Sequence, residues 1–241
     1  MSAEKTLRAG SRGSSGAKRP AAITWYYDYS SPYTYLASTR IESLCERQGY
    51  TLVWKPILVG GIFNAVNQSV YEARATPAKA RYGAKDVTDW ARYYGIPFSF
   101  PSIFPINSVK ALRGALMAIG AGVVPEYSRR IFQAYWAENK DISDDEVLAC
   151  IAGQTGLARE AFTDWTSGAE AKENLRSITQ EAMDRGVFGS PTFFLGEDMY
   201  FGNDRLVLLE EAMRQAALSG EKRSPEGERA PGRETAAPRR T

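Results

Sequence analysis

The chain has 241 residues with 30 Lys/Arg against 28 Asp/Glu, no histidine and two cysteines. The missing histidine excludes Ser-His-Asp and Cys-His nucleophiles, imidazole general bases and most catalytic zinc sites. Two distant cysteines, Cys45 and Cys150, exclude a disulfide framework and a CxxC redox pair, and read as small buried hydrophobes. Residues 1–20 carry a net +4 and residues 219–241 a net +2, so with a whole-chain charge of +2 the intervening residues carry −4. Basicity confined to the tails argues against a nucleic-acid-binding fold. The composition, 44% hydrophobic and 12% aromatic, suits a packed globular core. No apolar run approaches the ~20 residues that span a bilayer, and residues 1–20 lack the apolar stretch of a secretory signal. Both tails read as disordered, and the expected location is the cytoplasm.

Ile23 to Tyr27 is β-branched and aromatic, the pattern of a buried strand. Asp28 to Ser31 form a short loop, and Ser31 followed by Pro32 is a helix N-cap with proline at the first helical position. Leu36, Ala37, Ile41, Leu44 and Cys45 hold one helical face, and Gly49 closes the helix. Thr51 to Ile57 reads as a second strand, which completes a βαβ unit with parallel strands.

Residues 60–186 are helical in pattern. Helices are expected over Asp86–Tyr94, Ala111–Ala121, Glu126–Glu138, Ser143–Ala152 and Ala169–Arg185. Tyr127, Ile131 and Tyr135 step by four, which is core spacing, and Ser143 with Glu146 reads as a capping box. Pro97, Pro101 and Pro105 mark a non-helical loop. Strand character returns at Thr192–Leu195. A turn at Gly196–Asp198 leads to Met199–Phe201, and a last amphipathic helix carries Leu206, Leu209, Met213 and Ala217. The fold class is therefore α/β: a thioredoxin fold, β-α-β then β-β-α, interrupted by a helical insertion. The expected division is residues 21–60 with 186–218 as the thioredoxin-like domain and 61–185 as the insertion.

Three segments carry chemistry. In Asp28-Tyr29-Ser30-Ser31-Pro32-Tyr33-Thr34, the helix N-terminus offers unpaired N–H groups and positive partial charge to an anion. Ser31 and Thr34 stand where a CxxC would place its cysteines. A hydroxyl cannot exchange disulfides, but it can donate to a bound thiolate; Ser31 as a plain helix cap is the alternative. In Val187-Phe188-Gly189-Ser190-Pro191-Thr192, a cis Ser190–Pro191 bond would turn the Ser190 backbone towards a ligand at that helix. In Phe201-Gly202-Asn203-Asp204-Arg205, Asn203 or Asp204 reads as a helix cap, as part of a grip on an amino-acid headgroup, or as both.

Taken in order and spacing, Ser31-Pro32-Tyr33, Phe188-Gly189-Ser190-Pro191-Thr192 and Gly202-Asn203-Asp204-Arg205 resemble the 2-hydroxychromene-2-carboxylate isomerase family. That family is a relative of the kappa class of glutathione transferase within the DsbA-like superfamily. The likeness covers about residues 23–217. It is strengthened by Trp54-Lys55-Pro56-Ile57, Gly60-Gly61-Ile62-Phe63, Pro77-Ala78-Lys79, Asp89-Trp90-Ala91, Tyr94-Gly95-Ile96-Pro97 and Phe104-Pro105-Ile106-Asn107.

The resemblance implies glutathione as cofactor and a small aromatic substrate, a chromene carboxylate isomerised to an unsaturated aryl pyruvate while glutathione is regenerated. It implies that Ser31 holds the glutathione thiolate and that Ser190, before Pro191, pairs its backbone with the glutathione cysteine. Phe201, Gly202, Asn203 and Asp204 would bind the γ-glutamyl end, Asn67 (or Gln68) and Lys79 would reach the tripeptide, and Phe104 and Asn107 would line the substrate side. No metal, nucleic acid or membrane is expected, and a homodimer is an assembly the resemblance allows. Ser30 and Ser190 stand where relatives often carry apolar residues. A kappa-like transferase or peroxidase, or a non-catalytic thioredoxin-fold binding protein, would fit the same residues.

Overall fold

The computed structural model describes residues 21–66 and 76–219. The expected arm 1–20, the tail beyond Ser219, and Asn67 with Gln68 lie outside the described residues.

Four strands form one sheet in the order β2-β1-β3-β4. These are β1 (Ala22–Tyr27), β2 (Thr51–Pro56), β3 (Thr192–Leu195) and β4 (Asp198–Phe201). β1 runs parallel to β2, pairing Trp25 with Trp54, and antiparallel to β3, pairing Trp25 with Phe193. β3 and β4 make the expected hairpin, with Gly196 at φ 61 in its turn, a conformation glycine adopts without penalty. Helix α1 (Pro32–Gln48) connects β1 to β2 and ends at Gly49, whose φ of 71 is the left-handed cap.

Both faces of β1 are covered. Ile23, Trp25 and Tyr27 join a large core with Leu44 of α1, while Tyr26 alternates to the opposite face with Phe194, Ile57 and Ala182. The large core continues without a break into the helical segment through Leu112, Tyr127, Ile131, Leu148 and Phe162. Tyr127, Ile131 and Tyr135 are fully buried, as their spacing requires.

Between β2 and β3 lie α2 (Val59–Val66), α3 (Pro77–Tyr94), α4 (Val109–Gly120), α5 (Val124–Trp136), α6 (Asp145–Gln154), α7 (Arg159–Ser167) and α8 (Ala169–Asp184). A 3₁₀ turn (Asn203–Arg205) leads into α9 (Leu206–Leu218). α3 begins well before the expected Asp86. Its first turns are exposed and carry no apolar stripe, but Thr76 caps them, its hydroxyl accepting the Lys79 N–H at 3.3 Å.

The expected Ser143–Glu146 capping box does not form. Asp144 is the N-cap, accepting the Val147 N–H at 3.0 Å, because Ser143 is taken by Asp141 through both its N–H and its hydroxyl. Glu146 instead pairs with Arg159 at 3.1 Å. The expectation that both cysteines are buried holds for Cys45 alone; Cys150, on α6, is exposed.

Candidate active site

Ser31 is the N-cap of α1. Its Oγ accepts the Thr34 N–H at 3.3 Å and donates to the Ser190 carbonyl at 3.1 Å. Pro32 has no N–H and Thr34 is capped, which leaves the Tyr33 N–H as a first-turn donor with no acceptor in its own helix. Ser31 is half-buried, whereas Thr34 is fully buried. Beneath the turn, the buried Asp28 accepts from the Ser30 N–H and hydroxyl, both at 2.9 Å, and from the Val59 N–H at 2.9 Å.

Ser190 closes the site from the other side. Its Oγ takes the Asp28 N–H at 2.9 Å and lies 2.8 Å from Thr34 Oγ1. The Ser190–Pro191 bond is cis, as expected, and so is Phe104–Pro105. Gly189 permits this approach: a Cβ there would meet the Phe201 ring at 2.7 Å. Phe201, partly exposed, faces Phe188 with ring centroids 4.6 Å apart.

The third segment follows directly. Gly202, at φ 106, donates its N–H to the Pro191 carbonyl at 2.9 Å, which locks the β4–α9 turn to the proline loop. Asn203 is 2% exposed. Its Oδ1 accepts from Tyr94 OH at 3.2 Å, while its Nδ2 has no hydrogen-bond partner among the described residues. Asp204 is exposed and pairs with Arg205 at 3.0 Å. The capping role expected of Asn203 or Asp204 is not seen: neither the 3₁₀ turn nor α9 has a side-chain cap. Asn203 is instead occupied by Tyr94.

The substrate-side candidates reach the same loop indirectly. Phe104 is 56% exposed and lies against Trp136, whose Nε1 donates to the Tyr29 carbonyl at 2.9 Å. Asn107 is exposed and accepts the Val109 N–H at 3.1 Å; its neighbour Ser108 is buried close to the Asp28 carboxyl group. Lys79 stands on the exposed first turn of α3 and does not join the Ser31–Ser190 network. Asn67 lies outside the described residues.

Burial pushes the Asp28 carboxyl above its ordinary value, against the pull of its Ser30, Val59 and Ser108 donors. Tyr33, two residues after Ser31, is pushed up to about 12 by burial first and by its hydrogen bond to Asp86 second. No protein thiol takes part: Cys45 lies near the far end of α1 and Cys150 on α6. The arrangement can hold an anion between a helix N-terminus and hydroxyl groups, but it has neither a nucleophilic thiol nor an imidazole base of its own. Asp28 and Tyr94 stand in the sequence motifs with no role of their own assigned, and Ser108 gives no signal there. The one available signal was an acid preceding two serines at the end of a strand.

Residues 22–214 match the family model of the DSBA-like thioredoxin domain. A 2-hydroxychromene-2-carboxylate isomerase of Pseudomonas sp. (strain C18) is 32% identical over 202 residues, covering 83% of this chain and 93% of that protein. Human glutathione S-transferase kappa 1 is 28% identical over 222 residues, covering 84% and 92%. A solved structure of a 2-hydroxychromene-2-carboxylate isomerase superposes with a TM-score of 0.74 at 30% identity, covering 83% of this chain and 97% of that one. The chain thus belongs to the DsbA-like thioredoxin family and, within it, to the family of the 2-hydroxychromene-2-carboxylate isomerases.

Proposed function

We propose that this chain is a glutathione-dependent isomerase of 2-hydroxychromene-2-carboxylate-type aromatic intermediates, with aromatic catabolism as its setting. The observation that carries the reading is the pairing of Ser31 Oγ with the Ser190 carbonyl at 3.1 Å on the N-terminus of α1, with no protein thiol at the same place. The residues fit glutathione on a further count: Asn203 Nδ2 is a buried donor still lacking an acceptor, which a γ-glutamyl carboxylate supplies.

When bound, glutathione supplies the nucleophilic thiol that the chain lacks. The Ser31 hydroxyl, turning its one proton from the Ser190 carbonyl to that sulfur, and the first-turn N–H of Tyr33 would donate to it and hold it as the anion. The Ser190 backbone pairs with the peptide, and Phe201, Gly202 and Asn203 hold the γ-glutamyl end, with Asp204 accepting from its ammonium group. Lys79 would reach the tripeptide, and the family resemblance adds Asn67, which lies outside the described residues. Phe104 and Asn107 line the substrate side, where Phe104 offers an exposed aromatic face to a planar ring.

The kappa-class relatives support a second reading, a transferase that leaves glutathione attached to an electrophile. The test is turnover of a small panel of chromene carboxylates and generic electrophiles with glutathione, products identified by mass spectrometry. An isomerised product of unchanged mass is expected, and a glutathione adduct selects the second reading. A ligand at a hundred times its Kd stabilises the fold by about 2.7 kcal/mol, so no thermal shift at saturating glutathione overturns both.

A further inference from the structure

Asp28 is the point at which four separate stretches of chain meet. Its side chain accepts from Ser30 at the start of the α1 turn and from the Val59 N–H at the start of α2, and the buried Ser108 hydroxyl beside Asn107 lies close enough to help hold its pKa down. Its own N–H donates to Ser190 Oγ at 2.9 Å. The Ser31–Ser190 pair is therefore held from both ends by one residue: Ser31 through its neighbour Ser30, and Ser190 through the Asp28 backbone.

Burying a carboxyl group without a cation is costly, and the partners of Asp28 are all neutral. A tight turn alone does not need it, because an asparagine side chain makes the same local bond to the residue two positions on. What only the carboxylate offers is acceptor capacity on both oxygens. An amide in its place has one acceptor oxygen and an NH₂ group that must face a donor. The Ser30 donors on one oxygen and the Val59 N–H on the other are satisfied together by Asp and cannot be by Asn.

We propose that Asp28 is the positioning residue of the site: its carboxyl group fixes the α1 N-terminus against the start of α2 and the 104–108 loop, and so sets where Ser31 meets a bound thiolate relative to the substrate side. The inference rests on the glutathione reading above. Asp28 does not touch the reacting atoms; it acts through Ser30, Ser108 and Ser190. Its charge would act in the opposite sense, since a nearby carboxylate disfavours a thiolate. Position and charge are therefore separable by experiment.

The test uses the full chain as wild type, Asp28→Asn and Ser108→Ala, with reduced glutathione as probe. The ultraviolet absorbance of the bound thiolate is read at neutral pH, alongside kcat on the chromene carboxylate and a thermal melt that verifies folding at the assay temperature. In Asp28→Asn the bound thiolate fraction should fall and kcat should drop roughly tenfold to a hundredfold, the scale of a misplaced catalytic group. Ser108→Ala removes the hydroxyl that lies against the carboxyl group and should move both readouts in the same direction by roughly a few-fold. It decides the matter alone if Asp28→Asn does not fold. If the thiolate band is present in the wild type but unchanged or larger in the folded variants, or if kcat is unchanged, the proposal fails and the functional reading stands. If the wild type shows no bound thiolate, the functional reading fails and the proposal falls with it.

Discussion

The Ser31 hydroxyl donates to the Ser190 carbonyl across 3.1 Å, joining the N-cap of the first helix to the residue before the cis proline. The same oxygen accepts the Thr34 N–H, so Ser31 has both a structural and a chemical use. Replacing it with alanine should show both. The lost cap should lower stability by about 1 kcal/mol. The lost donor to a bound thiolate should lower turnover roughly a hundredfold, with residual activity left by the helix N-terminus. Steady-state kcat at saturating glutathione, paired with a thermal melt, measures the two separately. Wild-type turnover in Ser31→Ala would leave Ser31 as a cap only.

Much of this was legible in the sequence because local rules determine it. β1 is an unbroken β-branched and aromatic run, Ser31-Pro32 is a helix start, and Gly49 is a helix stop, so the first βαβ unit follows directly. Helix α7 gave no such signal: Phe162 and Thr166 are its buried positions, too few to mark a stripe over nine residues. The N-cap of α6 was misassigned by one residue because Ser143 and Asp144 are both good caps, and the choice depends on what Asp141 occupies. The role of Asp28 was not legible. Its partners at Ser30, Val59, Ser108 and Ser190 come together only when the chain is folded.

Gly114 lies where α4 meets α5 and α7. A Cβ there would sit 2.5 and 2.6 Å from Phe162 ring carbons and against the Tyr127 hydroxyl. Alanine gains about 1 kcal/mol in helix propensity over glycine. Overpacking costs about 1–3 kcal/mol, and Tyr127 and Phe162 are both too deeply buried to move aside cheaply. The packing term should win, so Gly114→Ala should destabilise the chain in urea denaturation. A gain in stability would show that this contact is looser than described.

The two cysteines should differ sharply in reactivity. Burial, with the nearby Glu42 and Glu46 adding to it, pushes the Cys45 thiol up to about 12, so its thiolate is scarce at neutral pH. Cys150 is exposed, with its sulfur 3.8 Å from the Gln154 amide nitrogen. Alkylation of the native chain should modify Cys150 alone, and Cys45 should react only after denaturation. Peptide mass mapping reads this directly, and native labelling of Cys45 would contradict its place in the core.

Glu181 should give stability a measurable pH dependence. Its carboxylate accepts from Tyr26 OH at 2.7 Å and pairs with Lys55 at 2.9 Å. Burial pulls its pKa up, but the Tyr26 and Lys55 hydrogen bonds and the charges of Lys55 and Arg185 together bring it below the ordinary value. The folded state therefore binds fewer protons than the unfolded state between the lowered and ordinary values, and stability rises with pH across that window. The contribution is fully present above the unfolded value and is lost as pH falls through the folded one. Because Glu181 is 41% exposed, screening keeps the contribution at or below about 1 kcal/mol. Glu181→Gln should therefore melt below the wild type at about pH 7, and the gap should close in acid, as pH falls through the lowered folded-state value and the wild-type carboxyl takes up its proton. Denaturation midpoints of both proteins across that range test the sign: a gap that persists or widens in acid would mean that packing around Glu181, not its charge, is what the substitution disturbs.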